Sequence, residues 1–587
     1  MRRSAQITAA AFALAWLPVI SVMGQANEQT EFDIWTTGPL LKAVQLAPLY
    51  NDSKTFVDMP ALTSPSSIQA NFAALTADTN GTLAVEDLQE FVNQHFGVAG
   101  SDFTRYEPAD YSPDGPPEFL PLVTDPAIRQ WALEVNALWP YLSRIETPSV
   151  AEQPSWHSLL TLPEPGVVAG DRFREIYYWD TYWIIQGLLV CGMNTTAQDM
   201  VTDLLHLAVE YGHVPNGART YYINRSQPPL LSQMVVLLYN TSKDTALLET
   251  ALPVLEADYK YWTTAPKAVP VDIGQGKTFN FSRYYANWTM PRPESFLEDW
   301  TTASFLNPTT QQTERQELWR NLASGAESGW DFSSRWFAPG GDEATIRVTD
   351  ILPSDLNAYL YQMESNLAYL NEEVGNTSAS SRFLSAAEAR RDAMNAVMYN
   401  ADQGRWTDML IESRNAQGVA TVTVATEAPY VSNYIPLWAG LLDDQPQEAL
   451  AVVDSFYHSG LIQDAGIVTS LNDSGQQWDY PNAWAPLQSM MVDALLQHGG
   501  NEGERVARSL VQAWLGNNYA GWQAIDKMVE KYNAITSGEV GGGGEYSVQT
   551  GFGWTNGVML NFLERFGWNP DIAPVPAVAP QAASSAR

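Results

Sequence analysis

From about residue 125 onward, apolar positions recur at helical spacing. In the stretch Ala127 to Ser143, Ile128, Trp131, Leu133, Val135, Leu138 and Leu142 fall on one stripe. Comparable stripes recur near 181–192, 196–211, 230–239, 244–263, 311–323, 353–373, 379–398, 427–442, 446–458, 483–498, 503–516 and 553–565. The pattern predicts roughly a dozen helices joined by loops rich in Gly, Pro, Asn and Trp. Alternating apolar and polar positions are scarce, and Gly418 to Thr426 is the best strand candidate.

Paired antiparallel helices need short turns at one end, which leaves longer loops at the other to build a site. About twelve helices with long aromatic loops therefore predict an all-α protein, an (α/α)6 barrel. An α-solenoid is the competing helical arrangement, but no fixed-period repeat is present. Residues 27–120 carry many Pro, Asp and Ser and few long stripes, and read as an N-terminal wrapping segment with a few short helices. The barrel is expected over 121–568. The Pro/Ala/Ser-rich end, 569–587, is expected to be disordered.

Composition narrows the function classes. The 587 residues suffice for a large core, and 45% hydrophobic with 17% charged content is globular. A net charge of −34 with no Lys/Arg cluster argues against a nucleic-acid-binding role, because phosphate contact needs a basic face. The 21 Trp and 26 Tyr suit a polyol ligand, although an aromatic-rich core accounts for most of them. Arg2 and Arg3, the apolar run Ile7 to Met23 and the small residues of Gly24-Gln25-Ala26 form a secretory signal over residues 1–26. The run is short for a membrane span, which needs ~20 apolar residues. Removal of residues 1–26 takes two Arg and no acid, giving a mature charge of −36. The single cysteine, Cys191, sits among Leu189, Val190 and Met193 and reads as a small buried hydrophobe. Export without disulfides fits a bacterial periplasm. Sequons at Asn194, Asn224 and Asn287 carry meaning only in a eukaryotic secretory pathway.

Chemistry concentrates in a few segments. Glu327-Ser-Gly-Trp-Asp-Phe-Ser-Ser-Arg-Trp336 sets Asp331 between Trp330 and Phe332, with Arg335 and Trp336 close by. Rings that exclude water raise a carboxyl pKa and a nearby guanidinium lowers it, a balance that suits proton delivery near neutral pH. Four further segments place Arg, Asp, Glu, Asn or Gln beside aromatic rings: Arg172 to Trp183, Asn216 with Asn224-Arg-Ser-Gln227, Arg292-Pro-Glu294, and Gln477 to Pro486. Singly, each reads more often as a structural Arg–Glu tie or a core Trp, but their recurrence in predicted loops points to a site. A last segment holds Met528 to Tyr532, Gly541-Gly-Gly-Gly-Glu-Tyr546 and Gly551 to Asn556. Its glycines lack the Lys-Ser/Thr of a phosphate loop, so a lid over a neutral ligand, or a plain surface loop, is the better reading. Thr76 to Asp87 has an EF-hand outline with the wrong first and twelfth residues. The six His show no zinc-ligand spacing, and no G-x-S-x-G elbow is present.

Taken together, these segments resemble the trehalases, inverting α,α-trehalose glucohydrolases. The likeness runs from Gly38-Pro-Leu through Tyr50-Asn-Asp-Ser-Lys-Thr-Phe56 to Gly567. Arg172 to Tyr182, Gln477 to Pro486 and Gly541 to Tyr546 look like the family's signatures. One departure is Ala169-Gly170-Asp171 where the family has Pro-Gly-Gly, which puts the loop carrying Arg172 in question. The resemblance implies Asp331 as general acid and Glu530 as general base. It implies substrate contacts at Arg172, Trp179, Asp180, Asn216, Arg225, Ser226, Gln227, Arg292, Pro293, Glu294, Gly329 and Glu545. Glu530, followed by Lys531 on a helix-like stretch, otherwise reads as a solvated surface pair. The implied substrate is trehalose, cleaved by a monomer to one α- and one β-glucose with no metal or cofactor. A glucoamylase-like barrel enzyme and a non-catalytic sugar-binding protein are the alternatives.

Overall fold

The computed structural model describes residues 34–572 apart from 79–82, 116–118, 275 and 307–310. Residues 1–26, read from the sequence as a secretory signal, and the tail after 572 lie outside the described residues. Among the described residues, twelve helices build the (α/α)6 barrel. They are α1 (Pro126–Asn136), α2 (Asp180–Val190), α3 (Asn194–Tyr211), α4 (Leu231–Ser242), α5 (Thr245–Trp262), α6 (Ser354–Glu373), α7 (Thr377–Val397), α8 (Ile435–Trp438), α9 (Pro446–Tyr457), α10 (Ala485–His498), α11 (Gly500–Ile525) and α12 (Gly553–Phe566). The even-numbered helices stand side by side in an inner ring, and α12 closes back on α2. The odd-numbered helices pack behind them as the outer ring.

Sequence explains which ring each helix joins. A helix apolar on all sides belongs inside, and a striped one at the surface. Inner α10 buries Leu487, Met490, Met491, Val492 and Leu495 around its circumference. Outer α11 buries Val506, Leu510 and Trp514 on one face and leaves Glu502, Arg505 and Arg508 in water. The α2–α12 seam depends on two glycines. A Cβ on Gly557 would lie 2.1 Å from the Trp183 carbonyl oxygen, and one on Gly187 would lie 2.5 Å from the Gly557 Cα. The backbones touch there, so no larger residue fits.

Boundaries depart from the stripes for local reasons. The stripe 127–143 splits into α1 and a short helix Leu138–Leu142. Pro140 has no N–H to donate to the Asn136 carbonyl, so a continuous helix is broken there. Asp125 caps α1, its Oδ1 accepting from Ala127 N–H at 2.8 Å. The stripe 427–442 shrinks to a 3-10 turn, Val431–Tyr434, and the single turn of α8. The stripe 311–323 becomes a helix, Gln312–Glu327, inserted between α5 and α6. Ala420–Val424 is a strand, as its alternation predicts. It joins a five-stranded sheet with Ala268–Asp272, Thr278–Ser282, Met409–Arg414 and Ile351–Leu352. Cys191 is buried, with Trp139 Nε1 donating to its Sγ at 3.3 Å. Among the described residues, no helix is long and apolar enough to cross a membrane.

Candidate active site

The chemistry-bearing segments share one position in the fold: each lies ahead of an inner helix. Arg172 to Trp179 lead into α2, and Asn216 to Gln227 into α4. Arg292 to Glu294 and Gly329 to Asp331 precede α6, Gln477 to Trp484 precede α10, and Glu530 to Phe552 precede α12. The site therefore forms at the N-terminal mouth of the inner ring, where the connections are long. They line one common cavity.

Backbone pairing holds the segments in register. Tyr178 N–H donates to the Asn216 carbonyl at 3.1 Å, and Asn216 N–H to the Arg225 carbonyl at 3.0 Å. Trp179 N–H donates to Gln227 Oε1 at 3.1 Å. Trp478 N–H donates to the Phe332 carbonyl at 3.0 Å, which fastens the Asp331 segment to the next loop. Asn482–Trp484 pairs antiparallel with Lys531–Asn533, so Trp484 faces Lys531 and Glu530 is carried to the cavity.

Asp331 is partly buried on the cavity wall. Burial, reinforced by the charge of Glu545 and opposed by Arg292 and Arg225, pushes its carboxyl from 3.8 up to about 7. Arg335, the cation the sequence sets nearest, is not the opposing charge. Its fork is spent on Asp355 (Nη1 to Oδ2, 2.7 Å) and Asp408 (Nε to Oδ2, 2.7 Å) while it lies over the Trp330 and Trp336 rings. Trp330 in turn stacks on Trp478, with ring centres 5.2 Å apart, and Trp478 on Trp484 at 4.0 Å.

Glu530 lies just before a strand and is 2% exposed, unlike the helical, solvated Glu–Lys pair that its local sequence alone suggests. Tyr546 Oη donates to its Oε1 at 2.9 Å, and Lys531 Nζ lies 3.6 Å from Oε2. Oε2 has no hydrogen-bond partner in the protein. Lys531 is fully buried, and its Nζ donates to Gln477 Oε1 at 2.7 Å. Trp554 Nε1 holds the Glu530 carbonyl at 3.0 Å. Asp180 opens α2. Burial first, then the charges of Glu530 and Asp331, lift its carboxyl well above the usual range, and the group faces the cavity.

The arginines are all paired. Arg225 Nε donates to Asn216 Oδ1 at 2.9 Å, and its Nη2 to Glu294 Oε1. Burial raises the Glu294 carboxyl, but Arg225 and Arg292 outweigh it and hold the group below its ordinary value. Arg292 Nη2 bonds Asp299 Oδ1 and Glu545 Oε1, each at 2.6 Å. Arg172 Nε bonds Asp52 Oδ2 at 2.7 Å. The departure at Ala169-Gly170-Asp171 leaves Arg172 in the cavity wall. Asp171 ties the loop down by accepting from Thr550 Oγ1 at 2.9 Å and Tyr141 Oη at 3.1 Å. Gly329 has φ +72°, and a Cβ there would lie 2.8 Å from the Trp179 ring, so the turn into Asp331 requires glycine.

Twelve of the fourteen predicted site residues line this cavity; Ser226 and Pro293 stand behind it. Ser226 turns its Oγ to the Val214 carbonyl at 2.6 Å, and its N–H to Glu327 Oε1 at 2.9 Å. The Pro293 carbonyl accepts from Gln45 Nε2 at 2.8 Å. Tyr177, Tyr546, Phe552 and Trp554 lie in the segments the sequence points to but were not named as contacts, and Tyr222 lies outside those segments; all five also line the cavity. Their aromatic character was visible, but nothing local separated them from core rings. Among the described residues, no group of three or more His, Cys, Asp or Glu is placed to hold a metal ion.

Fold and cavity define an (α/α)6-barrel protein whose mouth carries two carboxyls in unlike surroundings amid paired arginines and tryptophans. A family model described as Trehalase matches residues 48–567. A probable trehalase of Oryza sativa subsp. japonica is 42% identical over 532 residues, covering 89% of this chain and 92% of the relative. The trehalase of Homo sapiens is 38% identical over 542 residues, covering 92% and 90%. The solved neutral trehalase Nth1 from Saccharomyces cerevisiae shares the fold, with a TM-score of 0.59 at 20% identity over 75% of this chain and 94% of that one. The chain belongs to the trehalase family.

Proposed function

We propose that the protein hydrolyses α,α-trehalose to two glucose molecules with inversion at the attacked carbon. The observation that carries the reading is the pairing of Asp331 and Glu530 on one cavity. Asp331, pushed up to about 7, keeps a proton to deliver. Glu530, whose Oε2 carries no hydrogen bond and has only the Lys531 ammonium 3.6 Å away, has an oxygen to accept one from water. In this reading Asp331 protonates the bridging oxygen as the bond breaks. Glu530 takes a proton from the water attacking the opposite face of the other glucose's anomeric carbon. Inverting pairs stand ~6.5–9.5 Å apart to admit that water. Arg172, Asp180, Asn216, Arg225, Gln227, Arg292, Glu294 and Glu545 supply hydroxyl contacts. Trp179 and its neighbours supply apolar faces for the sugar C–H groups. Ser226 and Pro293 hold their loops in place. Carboxylate chemistry of this kind requires no metal.

Proton NMR of the protein with trehalose, read from the first minutes, tests the proposal. Equal early α- and β-glucose supports it. Only α-glucose means retention and removes Glu530 from the role of base. No glucose moves the search to other α-glucosides. The site is built within one chain, which supports a monomer; light scattering checks it. The basic-then-apolar residues 2–23 support export to a periplasm. A mature N-terminus at Asn27 is the expected result, and a retained Met1 counts against it.

A further inference from the structure

Asp52 lies in the stretch that the sequence presents as wrapping, 120 residues from the arginine it touches. It accepts from Arg172 twice, from Nε to Oδ2 at 2.7 Å and from Nη2 to Oδ1 at 2.9 Å. A bidentate carboxylate fixes the plane of a guanidinium as well as its position. Asp52 is itself held: Lys54 N–H donates to its Oδ1 at 2.9 Å. Lys54 anchors that turn from below, fully buried, with Nζ bonded to Asp58 Oδ2 at 2.8 Å and Tyr221 Oη at 2.9 Å. The same stretch grips a second site loop. Gln45 Nε2 donates to the Pro293 carbonyl at 2.8 Å, and Ser53 Oγ to Glu298 Oε2 at 3.0 Å. A chain of fixed contacts thus runs from a buried lysine, through Asp52, to a guanidinium on the cavity wall.

We infer that Asp52 is a positioning residue that aims Arg172 at the substrate, so the N-terminal stretch is a working part of the site. The inference rests on the trehalose reading above. Asp52 is the right place to test it because its side chain is 34% exposed. Arg172 is 10% exposed, and asparagine at 52 keeps the shape and an amide oxygen for it to bond, so Asp52→Asn is expected to fold.

Asp52→Asn is expected to raise KM for trehalose about tenfold, a loss of about 1.4 kcal/mol in binding, with kcat changed less than about threefold and Tm nearly unmoved. Asp52→Glu should recover part of the loss. In an Arg172→Ala background, Asp52→Asn should add nothing further, since it acts through that arginine. A folded Asp52→Asn protein with wild-type KM overturns the inference, and so does a full additional loss in the Arg172→Ala background. A crystal structure of Asp52→Asn decides the matter even if trehalose is not the substrate. Arg172 displaced from the cavity wall supports the inference; Arg172 unmoved refutes it. Wild-type protein inert towards trehalose refutes the proposed function instead, and the two failures stay distinct.

Discussion

Asp331→Asn should remove turnover and, above neutral pH, stabilise the protein. The wild-type carboxyl sits at about 7 against 3.8 for a free aspartate, chiefly because burial disfavours its charge. Between those values the folded state binds a proton that the unfolded state has released. Stability therefore falls as pH rises through this window and levels off above about 7. The shift corresponds to at most about 4 kcal/mol, and solvent in the open cavity brings the expected effect to about 2–4 kcal/mol. Asparagine fills the same space without ionising, so the variant escapes this loss. Denaturant unfolding of both proteins at several pH values is the assay. The stability gain of Asp331→Asn should be near zero at about pH 4, grow with pH and reach a plateau by about pH 8. Glucose release should meanwhile fall by about 10²–10⁴-fold, the span of a general acid. A gain independent of pH, or a loss of stability at about pH 8, would refute the claim that Asp331 is held protonated by burial. In the wild type the same proton predicts activity that declines as pH rises through about 7.

Four further outcomes follow from the geometry. Glu530→Gln should lose about 10²–10⁴-fold in kcat while calorimetry still detects trehalose binding; undiminished turnover removes its role as base. Gly329→Ala forces a side chain into left-handed backbone against the Trp179 ring. A cost of about 1–3 kcal/mol in denaturant unfolding and a lower kcat/KM are expected, and wild-type values on both would contradict the geometry. Lys267→Met leaves Glu327 buried without the ammonium that lies 2.6 Å from it. That should cost about 3–5 kcal/mol, and an unmoved unfolding midpoint would count against it. KM for trehalose should change less than about twofold between about 0.05 and 0.5 M salt, whereas a site using net charge would weaken steeply.

The barrel was largely legible because helix stripes depend on local spacing. What the stripes missed came from backbone chemistry or the third dimension. Pro140 split one stripe, and α8 shrank to a single turn within 427–442. The Asp331 segment was readable because its rings are adjacent in sequence. Glu530 was not, because the groups around it, Tyr546, Trp554 and Trp484, are distant in sequence, the first 16 and the second 24 residues away. A Glu followed by Lys has the local signature of a solvated pair, and only the strand pairing to Asn482–Trp484 takes it inside. Arg335 failed in the opposite direction. Four residues from Asp331, it looks like a partner, yet Asp355 and Asp408 claim it. Proximity in sequence says little about which carboxylate a guanidinium will choose.

A chain with a net charge of −34 nonetheless gathers Arg172, Arg225 and Arg292 around one cavity, with Lys531 beside Glu530. If charge were the purpose, those cations would stand unpaired to meet an anion. Instead each has a carboxylate: Asp52, Glu294, Asp299 with Glu545, and Glu530. Pairing cancels the charge and spares the desolvation cost of a lone buried cation. It also fixes each guanidinium in one plane, so the remaining N–H groups point in set directions. Arg225 Nη1 and Glu294 Oε2 form such a donor and acceptor, both without a partner in the protein. A neutral polyol asks for this: many oriented donors and acceptors and no net field. The field that survives acts where the chemistry needs it. It falls on Asp331, where burial and the charge of Glu545 outweigh Arg292 and Arg225 and leave one carboxyl protonated near neutrality.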